Sequence, residues 1–332
     1  MRMKLKSKKG NGKIGVLTSG GDAPGMNAAL RAVVRTAIFH GYDVVGIRNG
    51  YDGLMKGNVV PLTLRSVGNI IQRGGTFLGT SRSKEFRTKD GRARAFNLLK
   101  AWDVSALITL GGDGTMMGAG ILSKEYPIQV IGVPCTIDND LFGTDFSIGY
   151  DTAVNTAVES IDKIRDTADS HGRIFVIEVM GRNTGHLALE TALAVGAEYV
   201  VIPEAPLKTA DLIRKIQEGV NRGKTGSIII VAEKDRPGWA LTLAEVVEKS
   251  IKRDVRAAVL GHLQRGGSPS SSDRNLASRL GARAVELIAK NKTRLMVGMK
   301  CGQIQEVPFS SVVGKRRHAD LEKLSLVDRL SI

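Results

Sequence analysis

The 332-residue chain is poor in cysteine, in aromatics and in long apolar runs. Two cysteines, Cys135 and Cys301, cannot build a disulfide framework, which points to a reducing cytoplasm as its setting. No apolar run approaches the ~20 residues needed to cross a bilayer; stretches such as Ile228–Ala232 fall far short. The basic start, Met1–Lys13, is followed by no apolar stretch of signal-peptide length, so none is expected. Aromatics at 5% and the lack of regular hairpin signals argue against an all-β fold. No repeat recurs at a period of 20–50 residues. No linker rich in Pro, Gly or Ser divides the chain, so any lobes are expected to be interwoven by crossing segments.

What remains is an ordinary globular balance, 42% hydrophobic and 24% charged, which excludes a disordered or fibrous chain. The length suits one large α/β unit or two lobes of roughly 150 residues each. Two quantities stand out. Glycine reaches 39 residues, well above the usual ~7%. It clusters between apolar runs, as in loops that bring backbone N–H groups close to a ligand. The formal net charge is +15. Six cations with no acid among them (Arg2, Lys4, Lys6, Lys8, Lys9 and Lys13) form a basic arm over residues 1–13. That arm is either solvated or a contact for a polyanion such as nucleic acid. The excess over the body suits a protein that handles phosphorylated small molecules.

Short runs rich in Val and Ile alternate with helical patterns. Strands are expected at Lys13–Thr18, Asp43–Ile47, Ser105–Leu110, Gln129–Pro134, Arg173–Met180, Tyr199–Ile202, Ser227–Ala232 and Ala257–Gly261. Helices are expected at Met26–Phe39, Ser66–Ile71, Arg92–Ala101, Asp151–Arg165, His186–Ala194, Ala210–Asn221, Leu243–Arg253 and Asp273–Ala289. Near-continuous apolar strands separated by helices imply a parallel sheet covered on both faces.

In such sheets ligands sit where strands end and helices begin. Four loops of this kind carry polar signatures. The first, Thr18–Gly25, matches neither the dinucleotide fingerprint nor the Walker A pattern, and reads as a tight turn or an anion cradle at a helix N-terminus. In the second, Gly111-Gly112-Asp113-Gly114-Thr115, an acid among glycines would repel phosphate unless Mg²⁺ lay between them; the alternative is a capping Asp. The third, Pro134–Asp140, holds two carboxylates two residues apart, which an extended loop would turn to one side. A base plus a metal-facing carboxylate is what phosphoryl transfer to an alcohol requires; an Asx-rich turn is the alternative. The fourth set is cationic: Arg173, Arg182, Arg256, His262 and Arg265 stand at strand ends, where guanidinium forks bind phosphate oxygens.

Taken together, IGVLTSGGDAPGMNAA from Ile14, RGGTFLGTSR from Arg73, GGDG from Gly111, TIDND from Thr136, EVMGR from Glu178 and VLGHLQRGGSP from Val259 resemble the bacterial-type ATP-dependent 6-phosphofructokinases. The resemblance runs from about Ile14 to Ser310. It implies an α/β fold of two interwoven αβ lobes with mostly parallel sheets covered by helices. Residues 14–148 plus about 263–312 would bind ATP, and 149–262 plus about 313–332 the sugar phosphate. It implies transfer of the γ-phosphoryl of MgATP to the 1-hydroxyl of fructose 6-phosphate, in a homotetramer. Neither a membrane nor a nucleic acid is implied as a partner.

By position, the resemblance gives Gly21, Arg82, Ser83, Gly112, Asp113, Gly114 and Thr115 to ATP, and Mg²⁺ to Asp113. Asp138 would be the base, with Thr136, Ile137 and Asp140 completing the transfer site. Arg82 and Arg182 would stabilise charge on the moving group. Met180, Gly181, Arg182 and Glu233 would contact the sugar, and His262, Leu263, Gln264 and Arg265 its 6-phosphate end. Arg173 and Arg256 would reach that phosphate from a neighbouring subunit. Arg31, Arg35, Arg165, Glu198, Arg222 and Lys224 would form a pocket for ADP or phosphoenolpyruvate.

Several positions depart from the family pattern. Arg65 is displaced by one residue, and Asn69 stands where Asp is common. Asn183–His186 follows Arg182 with an unusual sequence. Gly114 leaves room for the α-phosphate of ATP, whereas the diphosphate-using branch carries Asp there. Cys135 is neither the Gly of the ATP branch nor the Lys of the other, and reads as a tolerated small residue or a redox-sensitive thiol. Lipid and NAD kinases share the GGDGT loop but lack TIDND and HLQRGGS. A basic binding protein that had lost catalysis would not keep Asp113, Asp138 and Asp140.

Overall fold

The computed structural model describes residues 11–234 and 237–331; most of the basic arm 1–13 lies outside them. The chain forms two compact units. The first contains Met1–Thr136, Leu141–Gly149 and Ser268–Arg316; the second contains Ile137–Asp140, Tyr150–Gly267 and Arg317–Ile332.

In chain order the first unit opens with β1 (Lys13–Ser19), α1 (Met26–Phe39), β2 (Asp43–Ile47), α2 (Gly50–Met55) and β3 (Val59–Leu62). It continues with α3 (Lys89–Ala101), β4 (Val104–Gly111), α4 (Asp113–Glu125) and β5 (Gln129–Pro134). The chain then supplies the second unit with α5 (Tyr150–His171), β6 (Ile174–Val179), α6 (His186–Val195), β7 (Tyr199–Val201), α7 (Thr209–Asn221), β8 (Ser227–Ala232), α8 (Trp239–Ile251) and β9 (Val255–Val259). It returns to the first for α9 (Ser271–Ala289), β10 (Leu295–Lys300), β11 (Gln303–Pro308) and α10 (Phe309–Val312), and ends in the second with α11 (Leu321–Leu330).

The first unit's sheet has seven strands in the order β11-β10-β5-β4-β1-β2-β3. Its five inner strands are parallel, and β3 and β11 flank them antiparallel. The second unit's sheet is four parallel strands in the order β7-β8-β6-β9. The inner strands read as unbroken apolar runs because both faces are covered: from Ile14 to Ser19 every residue of β1 is buried, and all of β8 is. Capping fixes where helices begin. Thr88 Oγ1 accepts from Gly91 N at 3.1 Å to start α3, and Ser270 Oγ accepts from Asp273 N at 3.2 Å to start α9. No helix among the described residues is long and apolar enough to cross a membrane.

Several expectations need correction; among them, the helices expected at 243–253 and 92–101 begin earlier, at Trp239 and Lys89. Residues 66–71 are not a helix but successive turns, with Ser66 N bonded to Thr63 O and Gly68 N to Arg65 O. Asn69 at φ +59° ends any helical continuation there. The strand expected at 257–261 is β9, two residues earlier, and Gly261–Arg265 wind into a 3-10 turn instead. The expected helix over 151–165 extends to His171. A hairpin does occur: β10 and β11 are joined by Cys301 (φ +48°) and Gly302 (φ +77°), a two-residue turn with both positions left-handed. Cysteine at such a position is rare, which hid the turn from sequence reading.

Helix α1 packs along α9. A β-carbon at Gly281 of α9 would sit 2.8 Å from Ala29 O and 2.9 Å from the Ala32 β-carbon. Replacing a helical Gly gains at most ~1 kcal/mol of propensity, whereas overpacking costs about 1–3 kcal/mol. Gly281→Val, branched at the clash, is expected to lower the unfolding free energy by about 2 kcal/mol, read as a drop in urea midpoint at unchanged slope.

Candidate active site

The first unit's sheet reverses its winding at one point. In the first unit β1 leads outward to β2, while β4, on the other side of β1, leads outward to β5. Their ends coincide, Ser19 standing opposite Gly111, so the loops after β1 and β4 diverge and leave a crevice at their carboxyl ends. Thr115 Oγ1 donates to Ser19 O at 2.9 Å and locks the start of α4 to β1. The segment carrying Arg82 and Ser83 is drawn to the same place. Gly20 N donates to Ser81 O at 3.1 Å, and Thr80 Oγ1 donates to Gly20 O at 2.9 Å. Arg82 is exposed there, and Ser83 Oγ accepts from Phe86 N. Gly21, Arg82, Ser83 and Gly112–Thr115 are thus gathered in one unit.

The N-terminus of α4 begins at Asp113 with Gly112 before it and no side chain capping it. Its free amides and helix dipole favour an anion. A β-carbon at Gly114 would meet nothing within 4 Å, so the first turn lies open on that side. Asp113 Oδ1 is buried and has no hydrogen-bond partner among the described residues. A carboxylate oxygen in that state fits a cation. Among the described residues no group of three or more His, Cys, Asp or Glu is placed to hold a metal alone. One carboxylate completed by phosphate oxygens is how Mg²⁺ is commonly held.

Thr136 closes this unit's strand end: its N donates to Ile148 O at 3.1 Å and its carbonyl accepts Ser147 Oγ at 2.7 Å. Cys135 before it is 1% exposed, and burial, then the negative charge of Asp273, drives its thiol far above the ordinary range. A thiol so held is not a nucleophile at neutral pH. The small-residue reading of Cys135 fits, and the redox-sensitive one does not.

In the second unit β6 lies between β9 on one side and β8, then β7, on the other. The loop after β6 is Met180-Gly181-Arg182, the turn after β9 is Gly261–Arg265, and Glu233 follows β8. Gln264 is wholly buried and its Oε1 accepts Met180 N at 2.8 Å, buckling the two loops together from beneath. His262 and Leu263 are exposed and Arg265 half-buried above it. Glu233 N donates to Val179 O at 2.8 Å, and its carboxylate accepts the Arg182 backbone N–H. Burial raises the Glu233 pKa above the ordinary range, opposed chiefly by Arg265. Arg182 is exposed and holds the left-handed conformation, φ +57°.

The segment Ile137–Asp140 belongs to this second unit, not to the one that holds Thr136. Asp138 is 9% exposed, and Asn139, at φ +51°, turns the chain between the two aspartates. Thr184 Oγ1 lies 3.4 Å from Asp138 O and 3.2 Å from Gly181 O, tying the acidic segment to the Arg182 loop. Arg173 and Arg256 converge on one carboxylate: Arg173 Nε stands 2.6 Å from Asp254 Oδ2 and Arg256 Nε 2.8 Å from Oδ1.

The six residues of the expected effector pocket fall in both units. Arg31 and Arg35 lie on α1 of the first, and the other four in the second. There Arg165 donates to Val195 O at 2.6 Å, Glu198 accepts Ile228 N at 2.7 Å, and Lys224 Nζ donates to Ser331 O. Arg222 is exposed at the end of α7. Sequence reading gave no role to Glu204 or residues 317–319, yet Arg317 N donates to Asp140 O, and Glu204 accepts both Gly185 N and Ala319 N. Their contacts run through backbone groups, which leave no motif to find.

The phosphofructokinase family profile matches residues 13–288. The chain is 51% identical over 320 residues to the ATP-dependent 6-phosphofructokinase 1 of Thermus thermophilus, covering 96% of this chain and 99% of that one. It is 52% identical over 321 residues to the ATP-dependent 6-phosphofructokinase of Brevibacillus brevis, with 96% and 99% covered. The crystal structure of Pichia pastoris phosphofructokinase in the T-state superposes with a TM-score of 0.87 at 34% identity, over 99% of this chain. This chain spans 37% of that longer one.

The state of the two thiols is directly checkable. A small disulfide reagent is expected to titrate one thiol per native chain, the exposed Cys301, and the second only after unfolding. Rapid native modification of both would contradict the burial of Cys135.

Proposed function

The chain belongs to the phosphofructokinase family, and from that membership we propose that it transfers the γ-phosphoryl group of ATP to the 1-hydroxyl of fructose 6-phosphate. The observation that carries this reading is the first turn of α4, where uncapped amides, an open flank at Gly114 and a buried, unpartnered Asp113 oxygen adjoin. The open flank leaves room for the larger nucleotide donor, and the similar curated relatives are named ATP-dependent.

In this reading Gly21, Arg82, Ser83 and Gly112–Thr115 bind the nucleotide. Asp113 holds Mg²⁺, which when bound neutralises charge on the phosphates. Asp138 takes the proton of the sugar hydroxyl, with Thr136, Ile137 and Asp140 beside the transferring group. An alcohol is a poor nucleophile at neutral pH, and a positioned carboxylate contributes about 10²–10⁴-fold. Arg82 and Arg182 stabilise charge as it develops, an effect enlarged where water is excluded. Met180, Gly181, Arg182 and Glu233 orient the hexose, and His262 and Arg265 grip its 6-phosphate. Leu263 lies along the bound sugar phosphate, and Gln264 supports it from below. Arg173 and Arg256, already sharing Asp254, are assigned to the phosphate of a neighbouring subunit. That role makes activity depend on a homotetramer.

The first unit then carries ATP and the second the sugar phosphate. The proposed setting is the cytoplasm. Arg31, Arg35, Arg165, Glu198, Arg222 and Lys224 are assigned to a nucleoside diphosphate or phosphoenolpyruvate effector.

Asp138→Asn is expected to lose about 10²–10⁴-fold in kcat with little change in sugar KM, measured by coupled assay with ATP. An unchanged kcat would remove the base assignment. With diphosphate replacing ATP the unaltered chain is expected to be nearly inactive. Addition of ADP or phosphoenolpyruvate is expected to shift the dependence of rate on sugar concentration; superimposable curves would show the effector pocket to be silent.

A further inference from the structure

The segment after Arg316 meets the acidic loop through its backbone. Arg317 N donates to Asp140 O at 2.9 Å. On its other side the same short stretch is held twice. His186 Nε2 lies 3.1 Å from Arg317 O. A carbonyl only accepts, so Nε2 carries the proton. Glu204 Oε1 accepts Ala319 N at 2.9 Å, and the same carboxylate accepts Gly185 N at 3.1 and 2.9 Å through its two oxygens. One carboxylate therefore joins residue 319 to the residue before α6.

His186 is buried, 7% exposed, and burial holds its imidazole below its ordinary pKa, so it stays neutral. Its own carbonyl accepts the Tyr150 hydroxyl at 3.1 Å. Beyond, Lys323 of α11 pairs with Glu190 of α6, so the chain end is fastened to the same helix. Asn139, between Asp138 and Asp140, turns the acidic loop through the left-handed region, which Asn tolerates.

We propose that residues 317–320 are a brace for the Asp138–Asp140 loop, and that His186 and Glu204 are positioning residues that seat this brace. The inference rests on the reading of Asp138 as base and adds where that base gets its fixed position. The brace touches the loop through a backbone hydrogen bond, so its effect is on orientation. A displacement of about 1 Å of a reacting group can cost 10²-fold in rate.

The test uses the full chain with His186→Leu, His186→Gln and Glu204→Gln, each shown by urea unfolding to be folded. Leu cannot donate to Arg317 O; Gln places an amide N–H at similar reach; Glu204→Gln puts a donor against one of two backbone N–H groups. His186→Leu is expected to lose about 10–100-fold in kcat with KM for ATP unchanged, and to speed amide exchange at Arg317 and Ala319 by about tenfold or more. Glu204→Gln should give the same pair of changes. His186→Gln should recover most of both, which a role limited to overall stability would not give. Folded His186→Leu with unchanged kcat, or with lost kcat but unchanged exchange at Arg317, would overturn the brace. So would failure of His186→Gln to recover either readout. Should the unaltered chain show no transfer to fructose 6-phosphate, the functional reading falls, while the exchange rates at Arg317 and Ala319 still decide whether His186 seats the segment.

Discussion

Parallel pairing of the inner strands, β1 with β4 in one unit and β6 with β9 in the other, is the constraint on which the rest of the molecule depends. Parallel strands cannot be joined by short turns, so each needs a covering helix, and the carboxyl ends collect helix N-termini and glycine loops. In the first unit this yields amides and one buried acid. In the second it yields guanidinium and imidazole groups around a half-buried Glu233. The chemistry of each half follows from what those ends carry: an anion cradle able to take a cation with it, and a cationic seat with one acceptor for hydroxyl groups.

Burial divides the residues behind these loops from those presented by them. His186 and Glu178 are buried and bond to backbone groups, and buried Gln264 does so through its Oε1. Arg82, Arg182 and His262 are exposed. Glu178 shows the pattern clearly: its two oxygens accept Gly238 N at 2.8 Å and Ala240 N at 3.0 Å, fixing the start of α8. A buried carboxylate satisfied by helix amides is rigid support rather than a reactive group. Asp113 instead keeps a buried oxygen without a partner among the described residues, at the uncapped start of a helix.

Much of this was readable from the residues. The inner strands announced themselves as unbroken apolar runs, and TSGGDAPG, GGDGT, TIDND, EVMGR and HLQRGGS lie at or just past strand ends. The rest was hidden for physical reasons. Residues 66–71 carry helix-like spacing, yet Asn69 takes a left-handed turn that local pattern does not reveal. The Cys301-Gly302 hairpin lacks the usual Asn or Asp signal. The passage of Ile137–Asp140 into the second unit depends on long-range packing, and the seating of Arg317 and Ala319 depends on backbone N–H groups that every residue possesses.

The central claim is that the Asp138 carboxylate receives the proton of a sugar hydroxyl. A crystal structure of the full chain with Mg²⁺, a non-hydrolysable ATP analogue and fructose 6-phosphate measures this most directly. The expected result is a carboxylate oxygen of Asp138 at about 2.6–3.2 Å from the 1-hydroxyl. An Asp138 side chain facing away from the hexose, with the hydroxyl hydrogen-bonded to another base, would contradict it.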